Sequence, residues 1–162
     1  MFYHHKGAFS EDLCNTLISS VDKSLLHESR IEAGNNTRIR SSLSCGLHAL
    51  PSGFEAILHG FIESNPYNLT LSPEPYQYAE YRVGDHYTWH TDLISRMKRH
   101  VSISVVLNDG YIGGEFEYIS EDRSAVCVSM GVGDLVMFPS WYRHRIRPVS
   151  SGKRISLVGW YG

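Results

Sequence analysis

The chain has 162 residues, of which 42% are apolar and 20% charged, and its formal net charge is -2. That composition is ordinary for a globular protein, long enough for one domain with a real core and too short for two. The slight acidic balance argues against a nucleic-acid binder, which carries a basic excess. Residues 1–162 are therefore read as a single domain. Cys14, Cys45 and Cys127 are scattered and form no C-x-x-C pair. Such a sparse, odd set suggests reduced thiols and a cytoplasmic setting. The opening "MFYHHKGAFSEDL" lacks the layout of a signal peptide, and no apolar run reaches membrane-spanning length. No membrane partner is expected.

In chain order, Ser10 is a cap for a first helix whose apolar stripe is Leu13, Leu17, Ile18, Val21 and Leu25. Residues 34–46 are polar and turn-rich and read as a loop or irregular strand. A second helix starts at Pro51 and Ser52, with Ser52 and Glu55 as a capping box and Phe54, Ile57, Leu58 and Phe61 on one side. From about Pro75 the texture changes. Short β-type runs follow: "YQYAEYRV", "HVSISVVLN", "GEFEYIS", "SAVCVSM", "GDLVMFP", "HRIRPV" and "KRISLVGWY". Turns such as "GVGD" and "SSGK" separate them. Short strands without intervening helices mean an antiparallel sandwich or barrel. The fold class is mainly β with N-terminal helices (α+β). Residues 1–72 supply supporting helices and a loop, and residues 73–162 a jelly-roll core.

The stretch "YRVGDHYTWHTDL" places His90 and Asp92 two apart, so an extended strand would aim both at one point. Alone, His-x-Asp is weak, and its bland reading is a hydrogen-bonded histidine beside a turn aspartate. A non-haem iron site needs a second imidazole from another strand. His144, opening "HRIRPV", is the candidate. Arg154 follows ten residues later across "SSGK", and as an antiparallel neighbour it would enter the same cavity. A buried arginine in "RISLVGW" needs a partner. That partner is either a small dicarboxylate, gripped by the planar guanidinium, or a salt bridge to Glu80, Glu115 or Glu117. The basic clusters Arg96–His100 and Arg143–Arg147 read as solvated loops or strand edges.

This order, His-x-Asp, a histidine about fifty residues on and a basic residue ten further, resembles the iron(II)- and 2-oxoglutarate-dependent oxygenases. The prolyl 4-hydroxylase-like branch is the nearest in pattern. The resemblance runs through "YRVGDHYTWHTD", "SISVVLNDGYIGGEFEY", "GDLVMFPSWYRHRIRPV" and "GKRISLVGWY", residues 81 to 161. It implies a double-stranded β-helix, with His90, Asp92 and His144 as iron(II) ligands. Arg154 would hold the distal carboxylate of 2-oxoglutarate, with Ser156 on the same face. Tyr81 and Tyr87 would line the cosubstrate pocket, and Trp160 would face the site; the bland reading of these three is core aromatics. Gly113 and Gly114 resemble the family's Gly-Gly-Glu turn, and Asn108 serves the strand end before it.

The activity so implied is hydroxylation of an unactivated C–H, of a prolyl residue in a peptide or protein, with dioxygen consumed and succinate and carbon dioxide released. Ascorbate is a possible reductant. The Asp92 carboxylate favours hydroxylation over halogenation. Trp160 stands where nucleic-acid demethylases of the superfamily carry a second arginine, so no nucleic-acid partner is expected. A peptide would cross the barrel mouth near residues 34–44 and 93–99, with Arg38, Arg40 and Trp141 as contacts. With Gly162 at or just past the last strand, no C-terminal substrate helix and no separate peptide-binding domain are expected. A free amino acid or other small molecule is the alternative substrate. A zinc hydrolase and a non-catalytic jelly-roll binding module are the alternatives of other classes.

Overall fold

The structure, a computed structural model, describes residues 1–31, 34 and 36–162. The N-terminal half holds β1 (Tyr3–His5), α1 (Glu11–Ser20), a short 3-10 turn (Lys23–Leu25), β2 (His27–Glu28), β3 (Arg40–Ser41), β4 (Leu43–Leu47) and α2 (Ser52–Glu63). The remainder is β5 (Tyr76–Tyr81), β6 (His86–His90), β7 (Val101–Val106), β8 (Ile112–Gly113), β9 (Phe116–Ile119), β10 (Ala125–Val128), β11 (Leu135–Pro139), β12 (His144–Ile146), β13 (Val149–Ser151) and β14 (Arg154–Tyr161). Every pairing between these strands is antiparallel. The large sheet runs β1-β11-β7-β14-β5-β4-β2, the small one β10-β9-β12-β6-β3, and β13 pairs with β8. Two antiparallel sheets face to face, with helices outside, make a jelly roll.

Strand alternation divides the large sheet's side chains between two cores. Leu135 and Met137 of β11, with Ile155 and Leu157 of β14, point to the helices. Phe9, Leu17, Phe54 and Leu58 meet them there, with the Phe9 and Phe54 rings stacked at 3.9 Å. Val136 and Phe138 point the other way, into the space between the sheets, beside Ala79, Tyr81, Phe116 and Ile146. Full burial of each such side chain contributes about 1.5–3 kcal/mol. Gly133 shows how tightly the first layer closes. Its φ is +78°, and a Cβ there would lie 1.8 Å from the Phe9 carbonyl oxygen, so only glycine fits.

Several local expectations are corrected. Ser10 does cap α1, its Oγ accepting from the Leu13 N–H at 3.3 Å. The stripe stops short of Leu25, however, which is 59% exposed. Asp22 accepts from the Ser24 N–H and caps a separate 3-10 turn, ending the helix. In α2 the Ser52–Glu55 capping box does not form, because Ser52 is already helical and Pro51 is the cap. Ile57 lies toward solvent, and Ile62 completes the buried stripe instead. The run "HRIRPV" is two strands, since Pro148 cannot donate to a ladder and interrupts it. The strands of residues 3–47 join both sheets, β3 beside β6 and β4 beside β5. No helix among the described residues is long and apolar enough to cross a membrane.

Candidate active site

Strands β6 and β12 are neighbours in the small sheet, and their register sets His144 directly opposite His90. Each imidazole places its Nδ1 against the backbone carbonyl two residues upstream: His90 on Thr88 at 2.7 Å, His144 on Tyr142 at 2.9 Å. A carbonyl only accepts, so both Nδ1 atoms carry hydrogen and both Nε2 lone pairs face inward. Those Nε2 atoms lie 3.6 Å from the two carboxylate oxygens of Asp92. One ligand atom from each of the three residues falls within 4.8 Å of the others.

Asp92 does not reach this point by strand alternation. β6 ends at His90, and Asp92 lies in the following loop. Its N–H donates to the Ser140 carbonyl at 2.9 Å, and Arg99 Nη1 donates to its own carbonyl at 3.2 Å. The rings are held from behind. Tyr87 stacks on His90 at 3.4 Å, and Phe116 and Phe138 flank His144. Burial pushes His144 down to about 4, against the pull of Asp92. Burial pushes Asp92 up, but His144 and His90 beside it outweigh that and hold it well below the usual carboxylate range. At neutral pH the cluster is a carboxylate with a neutral His144, the protonation that metal binding needs.

Arg154 enters from the opposite wall. It is not an antiparallel neighbour of His144, because β13 intervenes. β14 belongs to the large sheet, where Arg154 pairs with Tyr81 of β5. The residue is 1% exposed, and Nε, Nη1 and Nη2 have no hydrogen-bond partner among the described residues. The three candidate acids are engaged elsewhere. Glu80 accepts from Lys153 and from the Tyr78 hydroxyl, Glu117 takes Arg145, and Glu115 lies against Arg147. Gly114 makes room for the arginine, since a Cβ there would sit 2.9 Å from Arg154 Cδ. An unpaired buried guanidinium costs several kcal/mol. The other buried side-chain atoms without partners among the described residues are Asp92 Oδ2 and Trp160 Nε1. All three residues line one cavity between the sheets.

Tyr81, Tyr87, Ser156, Trp160 and Arg40 line that same cavity. Two expected contacts do not. Trp141 is 55% exposed, and Arg38 sits in an exposed turn where its carbonyl meets His86 Nε2 and its N–H donates to Asn36 Oδ1. Asn108 bridges backbone: its Nδ2 donates to the Lys153 carbonyl and its Oδ1 accepts from the Ile155 N–H. Arg99 is no solvated loop residue. It makes a two-point ion pair with Glu74, at 2.8 and 2.6 Å, and lies 4.1 Å over the Trp160 ring. Sequence reasoning missed Gln77, Phe116 and Phe138 as lining residues. Gln77 had a signal: in "YQYAEY" it alternates with Tyr81 and so shares its face. Above the cavity an open groove of about 700 Å³ shares Arg40, Gln77, Tyr87, Asp92 and Trp160 with it.

Two imidazoles and one carboxylate at the mouth of a jelly roll, with sides left open, are the donor set of non-haem iron(II) oxygenases. The sequence profile described as the 2OG-Fe(II) oxygenase superfamily matches residues 76–162, more than half of the chain, and the chain belongs to that family. A PKHD-type hydroxylase of Idiomarina loihiensis is 35% identical over 86 residues, 49% of this chain and 38% of that protein. One from Parvibaculum lavamentivorans is 27% identical over 168 aligned positions, 95% of this chain and 73% of the relative. The match spans only about two-fifths of the length of several such relatives.

Among solved structures, a Pseudomonas putida prolyl-4-hydroxylase superimposes with a TM-score of 0.77 at 21% identity, over 99% of this chain and 91% of that one. A Trichoplax adhaerens prolyl hydroxylase, solved with a hypoxia-inducible-factor peptide fragment, gives 0.86 at 16% identity, over 99% and 82%. These are likenesses of fold. The family's two groups, iron(II) and 2-oxoglutarate, fit the residues present. The inward Nε2 atoms and the Asp92 carboxylate suit a divalent ion, and the unpaired guanidinium suits a dicarboxylate.

Proposed function

We propose that the chain is an iron(II)- and 2-oxoglutarate-dependent hydroxylase acting on a prolyl residue of a peptide or protein. The observation that carries the reading is the Arg154 guanidinium, buried without a partner among the described residues and lining the same cavity as His90, Asp92 and His144. A zinc hydrolase would have no use for it. In the proposed arrangement His90, Asp92 and His144 hold the metal, and the backbone carbonyls behind both imidazoles fix their orientation. Arg154 grips the distal carboxylate of the cosubstrate, with Ser156, Tyr81 and Tyr87 as walls. When bound, iron(II) with 2-oxoglutarate and dioxygen supplies the oxidising power, converting a C–H to C–OH as the cosubstrate becomes succinate and carbon dioxide. Phe116, Phe138 and Ile146 keep that chamber dry. Trp160 and Arg40, at the junction of chamber and groove, meet the substrate. The prolyl class is supported by the names of the similar hydroxylases and by the open groove, which has room for an extended chain.

The test is incubation with iron(II), 2-oxoglutarate, ascorbate as reductant and a library of proline-containing peptides in air. The expected result is a peptide that gains one oxygen atom with matching succinate. Succinate formed only in uncoupled turnover, with no peptide oxidised, would overturn the prolyl assignment.

A further inference from the structure

We propose that the groove over the metal cluster selects a substrate bearing a carboxylate close to the carbon that is oxidised, and that Arg40 anchors it. This rests on the oxygenase reading above and names the substrate class of that same site. Arg40, on β3 opposite Tyr87 of β6, is 6% exposed. Its guanidinium lies 4.8 Å from the Tyr87 ring centroid. Nε donates to Ser42 Oγ at 3.1 Å and Nη2 to Gln77 Oε1 at 2.7 Å, both neutral acceptors. No ion pair among the described residues includes Arg40. Arg154 apart, the partly buried cations are matched, Arg99 by Glu74 and Arg145 by Glu117, and the exposed Lys153 pairs with Glu80.

Arg154 does not compete for the same anion. Under the proposed function, iron(II) and Arg154 bring three positive charges, and Asp92 with the two carboxylates of 2-oxoglutarate brings three negative ones. Arg40 is then left without a compensating charge among the described residues, in a partly dry site where a charge without a partner is costly. Arg30 and Arg96 line the same groove, both exposed and without an ion pair among the described residues. They add a positive rim that favours an anionic ligand. A carboxylate suits Arg40 better than a phosphate. With Nε and one Nη2 hydrogen engaged, the Nη1 and remaining Nη2 hydrogens form a planar two-point edge, which matches the two oxygens of a carboxylate.

The carboxylate has two possible sources, a free amino acid or an acidic side chain beside proline, and two matched pairs of probes separate them. One is N-acetyl-L-proline against its amide; the other is acetyl-Asp-Pro-Ala amide against acetyl-Asn-Pro-Ala amide. Each is titrated calorimetrically into protein carrying manganese(II) and 2-oxoglutarate under argon, at low and high salt. Binding of 2-oxoglutarate is measured first; its absence would sink the oxygenase reading itself. The expected result is that the acidic member of at least one pair binds about ten-fold tighter, with the gap narrowing in salt. Arg40→Gln should reduce the gap to about two-fold or less. The surface pair Arg30→Gln/Arg96→Gln should narrow it in part, and keeps the test open should Arg40→Gln fold poorly. Equal binding, or none, by both members of both pairs overturns the inference. So does a preference that survives these variants, or a loss of 2-oxoglutarate affinity in Arg40→Gln with the preference intact.

Discussion

Arg154 is buried with three nitrogen donors and no acceptor among the described residues, so without the proposed ligand it should weaken the fold. Replacing an unpaired buried charge by an apolar side chain of similar volume removes that cost. Arg154→Met is therefore expected to raise the stability of the ligand-free protein by about 1–4 kcal/mol. It should also lose the stabilisation that 2-oxoglutarate gives the wild type, about 2.7 kcal/mol at a hundred-fold excess over Kd. Urea unfolding with and without 2-oxoglutarate reads both, and a variant clearly less stable than wild type would mean that the guanidinium has a structural partner. His90, Asp92, His144 and Arg154 were legible in the sequence because their order along the chain is itself a pattern. Arg38 and Trp141 were not. A lone exposed arginine or tryptophan carries no information about where it points, and Arg38 lies in the turn before β3 while Arg40 is buried on the strand opposite Tyr87. Gln77 was legible in principle from alternation with Tyr81.

At the scale of elements, Asp134 fastens β1 to the start of β11. Its Oδ1 accepts from the Gly7 N–H at 2.7 Å, and its Oδ2 from the Gly131 N–H at 3.0 Å and His4 Nε2 at 2.9 Å. Burial pushes the Asp134 carboxyl up, but these bonds together outweigh it and hold it below its ordinary 3.8. A depressed folded value means stability that is fully present above the ordinary value and is lost as pH falls through the folded one. Asp134→Asn should cost about 1–3 kcal/mol at pH 7 and flatten the stability loss below pH 4, read by urea unfolding across pH 3 to 7. A variant as stable as wild type at pH 7 would contradict that role. Long apolar strands such as β7, β11 and β14 were legible as runs. The short polar ones, β3 and β4, gain their strand character from partners distant in sequence, so the text of residues 34–46 showed only irregularity. The capping box at Ser52 failed because two candidate caps adjoin and the chain turned at Pro51.

At the scale of the molecule, the proposed metal ligands His90 and His144 sit on the small sheet and the proposed dicarboxylate anchor Arg154 on the large one, with Val136, Phe138 and Ile146 between. The cavity exists only while the two sheets are packed, so metal and cosubstrate should each report on the whole fold. The family pattern made this architecture legible, while the route from His144 to Arg154 through a separate β13 pairing was not, because "HRIRPV" reads as one strand until Pro148 is weighed. The most direct measurement is anaerobic absorption of the protein with iron(II) and 2-oxoglutarate, wild type beside His144→Ala and Arg154→Met. The account predicts a weak visible charge-transfer band in wild type, absent in His144→Ala. Arg154→Met should need about ten- to hundred-fold more 2-oxoglutarate, as expected for lost hydrogen bonds to a charged group. No band in folded, iron-replete wild type would contradict it.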